Sequence, residues 1–207
     1  MSISSFPITR RTVLAGAIAT LSLVLTGCSP STATPLPFEG NDISDSGLGR
    51  DLSMVDTQGQ TRTLADYQGK ILLIFFGYTQ CPDVCPTAMA QAAQALELLG
   101  AQASNVQVIM ISVDPARDTP EILDAYVGAF DPSFVALTGT PEQLEKTARS
   151  FKAFYAKEPG PTPQQYAMNH SAAFYLLDQD GNARALLGPS LTPEDMAHDI
   201  RLLLQAS

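Results

Sequence analysis

Two cysteines separated by three residues are the side chains in this sequence best suited to chemistry. Cys81 and Cys85 follow directly after the apolar run Ile71 to Phe76, and the third cysteine, Cys28, lies far upstream. A disulfide that closes a five-residue loop adds only about 2 kcal/mol in the chain-entropy description, so a purely structural bridge is not the favoured interpretation. The pair is predicted either to cycle between dithiol and disulfide or to hold a soft metal ion.

The residues after Cys85 repeat a helix-start pattern. The triplet Thr-Pro-Glu occurs three times, beginning at Thr119, Thr140 and Thr192. Threonine caps the helix, proline lacks the N–H that would go unpaired, and glutamate complements the positive end of the dipole. Cys85 stands in the threonine's place before Pro86, so it is predicted at or beside an N-cap, with the pKa of its thiol below about 8.5.

Two thiols need a third ligand to hold a metal ion, and the chain has two histidines. A zinc ribbon is excluded because there is no second cysteine pair. His198 points away from the apolar stripe of the last predicted helix and is interpreted as a solvated side chain. His170 precedes a predicted strand, where a lone histidine is more often structural, so the residues alone leave the third ligand open.

The elements that must position these groups alternate along the chain. Apolar runs predict strands, and helical stretches of ten to fifteen residues separate most of them. The predicted strands are Ile71–Phe76, Val106–Val113, Phe134–Leu137, Ala173–Leu177 and Ala183–Leu187, with an N-terminal hairpin of Leu52–Asp56 and Thr61–Thr63. This order predicts an α/β fold with a central mixed sheet flanked by helices. The cysteines then lie beyond the carboxyl end of a buried strand, where open sheets bind ligands.

The first 27 residues are predicted to be a secretory signal peptide. Arg10 and Arg11 precede an apolar stretch, Val13 to Leu25, of about thirteen residues, or roughly 20 Å of helix, which is too short to span about 30 Å of hydrocarbon. Leu25 to Cys28 resembles the bacterial lipobox, in which the cysteine is lipidated and becomes the first residue of the mature chain. Cys28 is therefore the predicted lipidation site, and the protein is expected to be exported and lipid-anchored on the extracytoplasmic side of a bacterial membrane.

Composition predicts one folded domain preceded by an N-terminal tail. The chain has 207 residues, of which 45% are hydrophobic, enough for a core of its own. Residues 28–49 are rich in Ser, Thr, Pro and Gly and are predicted to be a flexible tether, and residues 50–207 form the domain. Loss of two arginines with the signal leaves 10 basic and 21 acidic residues, a net charge of −11 that argues against nucleic acid as a partner.

Three blocks of sequence carry a resemblance to a known family. They are Phe76-Gly77-Tyr78-Thr79 with Cys81-Pro82-Asp83 and Cys85-Pro86, then Ser112 to Pro120, then His170-Ser171 ahead of Tyr175 to Asp178. Together they resemble the SCO/SenC family of thioredoxin-fold copper proteins, over about Leu52 to Leu204. The resemblance implies a thioredoxin-like domain that binds one copper ion, as Cu(I) or Cu(II), through Cys81, Cys85 and His170.

The same resemblance implies a partner. Members of the family help to assemble the binuclear copper centre of cytochrome c oxidase subunit II, and many use a transmembrane helix where this chain has a lipobox. The favoured hypothesis is a membrane-tethered copper metallochaperone. The alternative is a thiol:disulfide oxidoreductase that reduces the cysteines of the oxidase copper site, with Cys81 and Cys85 as its redox-active pair and His170 a bystander. Asp114 and Arg117 are interpreted as organising the loop before a helix.

Overall fold

The computed structural model describes residues 36–162 and 165–206, which form ten strands and four α-helices. The strands are β1 Asn41–Asp42, β2 Ser53–Asp56, β3 Thr61–Thr63, β4 Ile71–Gly77, β5 Val106–Ser112, β6 Val135–Thr138, β7 Tyr155–Thr162, β8 Gln165–His170, β9 Phe174–Leu177 and β10 Ala183–Leu187. The helices are α1 Val84–Leu99, α2 Pro120–Gly128, α3 Pro141–Phe151 and α4 Pro193–Gln205.

Eight strands form the predicted central mixed sheet, in the order β1-β10-β9-β4-β5-β6-β2-β3. The centre is parallel, because β4 pairs with β5 and β5 with β6 in the same direction, while the remaining pairs are antiparallel. All seven residues of β4 are buried. This explains why the strand is a continuous apolar run rather than an alternating one. The predicted α/β class is confirmed.

The helix-start pattern and the N-terminal hairpin are confirmed. The hydroxyl groups of Thr119, Thr140 and Thr192 each accept a hydrogen bond from a backbone N–H in the first turn of α2, α3 and α4. Strands β2 and β3 form the hairpin, and β2 also pairs with β6, so the hairpin completes one edge of the sheet. Helices α1 and α4 pack against each other beside the sheet.

The predicted tether is wrong for residues 36–49. From Leu36 onward the chain lies on the domain: β1 pairs with β10, and the N–H groups of Glu39 and Gly40 each donate to the buried carboxylate of Asp199 at 2.9 Å. Composition suggested a linker, but four apolar side chains in this stretch pack against the core; they are Leu36, Phe38, Ile43 and Leu48. Residues 1–35, with the predicted signal peptide and Cys28, lie outside the described residues.

No helix within residues 36–162 and 165–206 has the length and apolar character that crossing a bilayer requires.

An additional hairpin, which the sequence did not predict, carries His170. Strands β7 and β8 form a two-stranded antiparallel sheet separate from the central one. Along β8, alternate side chains are half-buried, namely Tyr166, Met168 and His170, and those between them are exposed. The histidine is therefore the last residue of a strand and lies on the face turned toward the body of the protein.

Candidate metal centre

Three side chains that the sequence singled out converge at one end of the sheet. The sulfur atoms of Cys81 and Cys85 and a ring nitrogen of His170 all lie within 4.8 Å of one another. Cys85 Sγ and His170 Nε2 lie 3.4 Å apart. Both cysteines are free thiols, Cys85 buried and Cys81 partly exposed. In the described part of the chain, no other group of three His, Cys, Asp or Glu side chains is arranged to hold a metal ion.

The orientation of the His170 ring is fixed by a hydrogen bond and by two neighbouring aromatic rings. Nδ1 lies 3.0 Å from the carbonyl oxygen of Ser171, which can only accept, so Nδ1 is the protonated nitrogen. The lone pair of Nε2 then faces the sulfurs, as a ligating histidine requires. The rings of Phe75 and Tyr78 meet the imidazole edge to face, each with 5.8 Å between ring centroids. The imidazole thereby packs against the end of β4 and the first residue after it.

A buried carboxylate positions the loop that carries the cysteines. Asp118 accepts hydrogen bonds from the hydroxyl groups of Thr79 and Ser112, both at 2.6 Å, and from the N–H of Thr79. It therefore ties the loop after β4 to the end of β5. Sequence analysis did not assign this role to Asp118; its position a few residues beyond a buried strand was the available signal. A bond from the Val113 N–H to the Gly77 carbonyl at 2.9 Å continues the tie.

Gly77 lies where a side chain would disturb the site. A Cβ atom there would lie 3.0 Å from Cys85 Sγ and 2.8 Å from the ring of Phe75. Both contacts are shorter than nearly all real Cβ contacts, so the close approach of β4 to the sulfur requires glycine.

The prediction about the Cys85 thiol is wrong. Helix α1 begins at Val84 with Asp83 as its N-cap, so Cys85 lies inside the first turn and its side chain is completely buried. Burial raises the pKa of Cys85, the nearby Cys81 sulfur raises it further, and a backbone hydrogen bond from Tyr78 only partly opposes the rise. The sulfur in front of the helix start is that of Cys81, which accepts the Cys85 N–H at 3.4 Å.

His198 takes no part in this cluster, in agreement with its interpretation as a solvated side chain. It lies on α4 with 45% of its side chain exposed, and its Nδ1 is 3.1 Å from a carboxylate oxygen of Asp199. The third position of the cluster thus belongs to His170.

The donor set of two sulfurs and one imidazole nitrogen suits a soft ion. Thiolates favour Cu(I), and imidazole accepts copper in either oxidation state. A metal ion that binds here must displace the protons of the thiols, so binding releases protons and weakens with acid. Because Cys85 is buried, its sulfur becomes a good ligand only when a cation compensates its charge.

In the metal-free protein the two thiols are expected to differ in reactivity. Only the thiolate is alkylated, and burial both raises the pKa of Cys85 and blocks access to its sulfur. At pH 8, iodoacetamide should therefore modify Cys81 at least about tenfold faster than Cys85, since one pKa unit alone gives that ratio. Mass spectrometry of the peptides after brief labelling measures the ratio.

A second measurement checks the same cause through stability. Because the folded state holds the Cys85 proton more tightly than the unfolded state, its contribution to stability is complete below about pH 8.5 and is lost as the pH rises further. The urea midpoint should decline over that range in the wild type and less in Cys85→Ala. Equal labelling of both cysteines, together with equal pH profiles, would contradict the burial argument.

Comparison with known proteins finds a family model and related sequences that match most of the described domain. A sequence model described as SCO1/SenC matches residues 41–205. The chain is 37% identical over 153 residues to "Protein SCO2 homolog, mitochondrial" of Mus musculus, an alignment that covers 73% of this chain and 60% of the mouse protein. The chain thus spans about three fifths of that relative's length.

Solved structures agree with this match. The structure of Bradyrhizobium japonicum ScoI with copper bound is 38% identical, with a TM-score of 0.70, covering 75% of this chain and 99% of that one. The crystal structure of yeast Sco1 with copper bound is 29% identical, with a TM-score of 0.72, covering 78% and 90%. The predicted thioredoxin-like fold is confirmed by these neighbours.

Proposed function

Since this chain belongs to the SCO1/SenC family, we propose that it is a copper metallochaperone that binds one copper ion through Cys81, Cys85 and His170. The observation that carries this proposal is the convergence of two sulfurs and one imidazole nitrogen within 4.8 Å, from elements 85 residues apart in sequence. Two similar proteins have been solved with copper bound, which supports the choice of metal.

The exposure of the ligands favours release of the ion as well as binding. Cys81 is partly exposed, whereas Cys85 is buried beneath it. An incoming thiolate therefore meets the metal from the Cys81 side, and ligands can be exchanged one at a time. A dithiolate acceptor suits this chemistry because thiolates compete well for Cu(I). The proposed acceptor is the binuclear copper site of cytochrome c oxidase subunit II.

The proposed location follows from the sequence before the domain. Residues 1–27 direct export, and Cys28 is lipidated and holds the protein on the extracytoplasmic side of a bacterial membrane. Cys28 lies a few residues before Leu36 in the sequence, so a lipid on Cys28 keeps the domain at the membrane. A subunit embedded in the same membrane is then a near neighbour.

Metal analysis of the chain without residues 1–27 tests the proposal. The protein, purified from its own host, is expected to contain copper and to bind one copper ion per chain, with X-ray absorption showing two sulfur ligands and one nitrogen ligand. Copper loaded on it should move to the soluble copper domain of subunit II when the two are mixed. A protein that binds no copper, or that binds it without sulfur ligands, would refute the proposal.

The alternative is a thiol:disulfide oxidoreductase that reduces the cysteines of the oxidase copper site. One observation favours it. The sulfur of Cys81 is partly exposed and accepts a hydrogen bond from the Cys85 N–H, and the buried Cys85 lies close to it. In this reaction Cys81 would attack a disulfide of the acceptor and Cys85 would release the mixed disulfide. The acceptor gains two electrons and two protons, and Cys81 and Cys85 form a disulfide.

A further inference from the structure

The metal centre is assembled from two parts of the protein that no strand pairing connects. The cysteines belong to the loop and helix that follow β4, while His170 ends the hairpin β7–β8, which pairs with no strand of the central sheet. At the base of the hairpin, Ser171 and Phe154 exchange two hydrogen bonds of 2.9 Å. These bonds close the hairpin on itself and leave its position against the cysteine loop to other contacts.

Besides the ring contacts of His170, Tyr166 supplies polar and stacking contacts that cross from the hairpin to the body. It lies four residues before His170 and on the same half-buried face of β8, about 13 Å away along the strand. Its hydroxyl donates to a carboxylate oxygen of Asp114 at 2.7 Å, and its backbone carbonyl accepts from Arg117 Nη1 at 2.9 Å. The guanidinium carbon of Arg117 lies 3.5 Å from the centroid of the Tyr166 ring, at stacking distance.

Arg117 continues the connection to the cysteine loop. Its Nη1 also donates to the side-chain oxygen of Gln80, the residue before Cys81, at 3.1 Å. Its Nε is paired with Asp114, and the guanidinium carbon lies 5.7 Å from the ring centroid of Tyr78. Among the described residues its buried Nη2 has no hydrogen-bond acceptor, so aromatic rings must support that side of the group. One guanidinium therefore contacts both halves of the metal centre.

We infer that Tyr166 and Arg117 are positioning residues: together with Asp114 they form a latch that holds the hairpin against the cysteine loop and keeps His170 within ligand distance of the sulfurs. The inference rests on the proposed function, since it concerns a ligand of the proposed copper site. The latch holds the hairpin that carries the histidine, whereas both sulfurs belong to the loop and helix that follow β4. Its loss should therefore weaken Cu(II), which needs the imidazole, more than Cu(I), which the two thiolates hold.

Lys157 provides a matched control on the same ring. Its ammonium nitrogen lies 3.7 Å from the centroid of Tyr166. Two cations at such distances cannot share one face, so Lys157 and Arg117 cover opposite faces of the ring. Lys157 belongs to β7 itself, whereas Arg117 belongs to the body. Removing Lys157 takes a cation from Tyr166 without cutting the connection to the cysteine loop.

The test compares Tyr166→Leu and Arg117→Lys with Lys157→Gln and the wild type. In both latch variants, the ratio of Cu(II) affinity to Cu(I) affinity is expected to fall by about tenfold, the effect typical of losing a group that orients a ligand. The absorption band that arises from sulfur bound to Cu(II) should shift in the same variants. Lys157→Gln should match the wild type in both measurements. Tyr166→Phe, which keeps the ring over Arg117 and loses only the hydroxyl, is the variant to use if Tyr166→Leu does not fold.

Hydrogen exchange of the metal-free proteins separates this inference from the proposed function. Amides of residues 155–170 should exchange faster in the latch variants than in the wild type, while those of β4 and β5 keep their protection. If copper in the wild type is not ligated by His170, the proposed function is refuted. The hydrogen-exchange rates of the latch variants would then still test whether the latch holds the hairpin in place. Unchanged exchange and an unchanged affinity ratio in both latch variants would overturn the latch, as would an equal loss in Lys157→Gln.

Discussion

Replacing His170 with alanine is expected to weaken Cu(II) binding by more than about 100-fold, because loss of a ligand exceeds the ten- to hundredfold cost of losing a group that merely orients one. Cu(I) should be affected less, since the sulfurs of Cys81 and Cys85 remain. Reduction of a model disulfide such as that of insulin should hardly change, because no electron passes through the imidazole. Competition titrations with chelators, next to an insulin reduction assay, measure the three quantities.

The other histidine makes a matched control. His198 is half-exposed on α4 and lies outside the cluster, so His198→Ala should bind copper as the wild type does. The two variants then differ only in which imidazole is lost. Wild-type Cu(II) affinity in His170→Ala would defeat the chaperone proposal and leave the dithiol reductase. A large loss of insulin reduction in the same variant would contradict the bystander role that the reductase hypothesis gives to this histidine.

The centre of the sheet could be predicted because its strands β4, β5 and β9 are buried on both faces. A strand such as β4, with seven buried residues, is apolar throughout, and so short a run ending at a glycine favours a strand over a helix. The starts of α2, α3 and α4 could be predicted equally well. A capping threonine followed by proline meets the hydrogen-bonding needs of the first helical turn, and these do not depend on the rest of the fold.

The N-terminal arm and the hairpin β7–β8 could not be predicted in this way. The arm is held by Asp199, a carboxylate 159 residues from the Gly40 N–H that it accepts, and local composition contains no trace of such a contact. The hairpin is mostly exposed, and its sequence includes prolines and glycine that usually indicate a loop. Both elements owe their conformation to distant partners.

The candidate site was also predictable from the sequence only in part. The place of the cysteine pair followed from its position after a buried strand, which the structure confirms at the end of β4. His170 as the third donor came from the family resemblance, because only the folded chain brings β8 to the helix start. The pKa of the Cys85 thiol was predicted with the wrong sign because local capping logic overlooked burial, which depends on how α1 packs.

Replacing Cys85 with serine should have the largest effect on the site. A hydroxyl is a hard, poorly acidic group, and at this completely buried position it cannot take the thiolate's place beside a soft cation. Cu(I) affinity is therefore expected to fall by more than about 100-fold, beyond the range seen when only an orienting group is lost. Disulfide reduction should also be lost, since Cys81 alone cannot resolve a mixed disulfide. A Cu(I) competition titration and the insulin assay measure both.

The same substitution at the third cysteine is the control. Cys28 is expected to carry the lipid and to contribute nothing to the metal, so Cys28→Ser, purified without residues 1–27, should retain one copper ion per chain. If instead Cys28→Ser lost copper, or if Cys85→Ser kept it, the ion would be held by a different set of sulfurs. The pair Cys81 and Cys85 would then have to serve thiol exchange alone, with the partly exposed Cys81 as the attacking thiol.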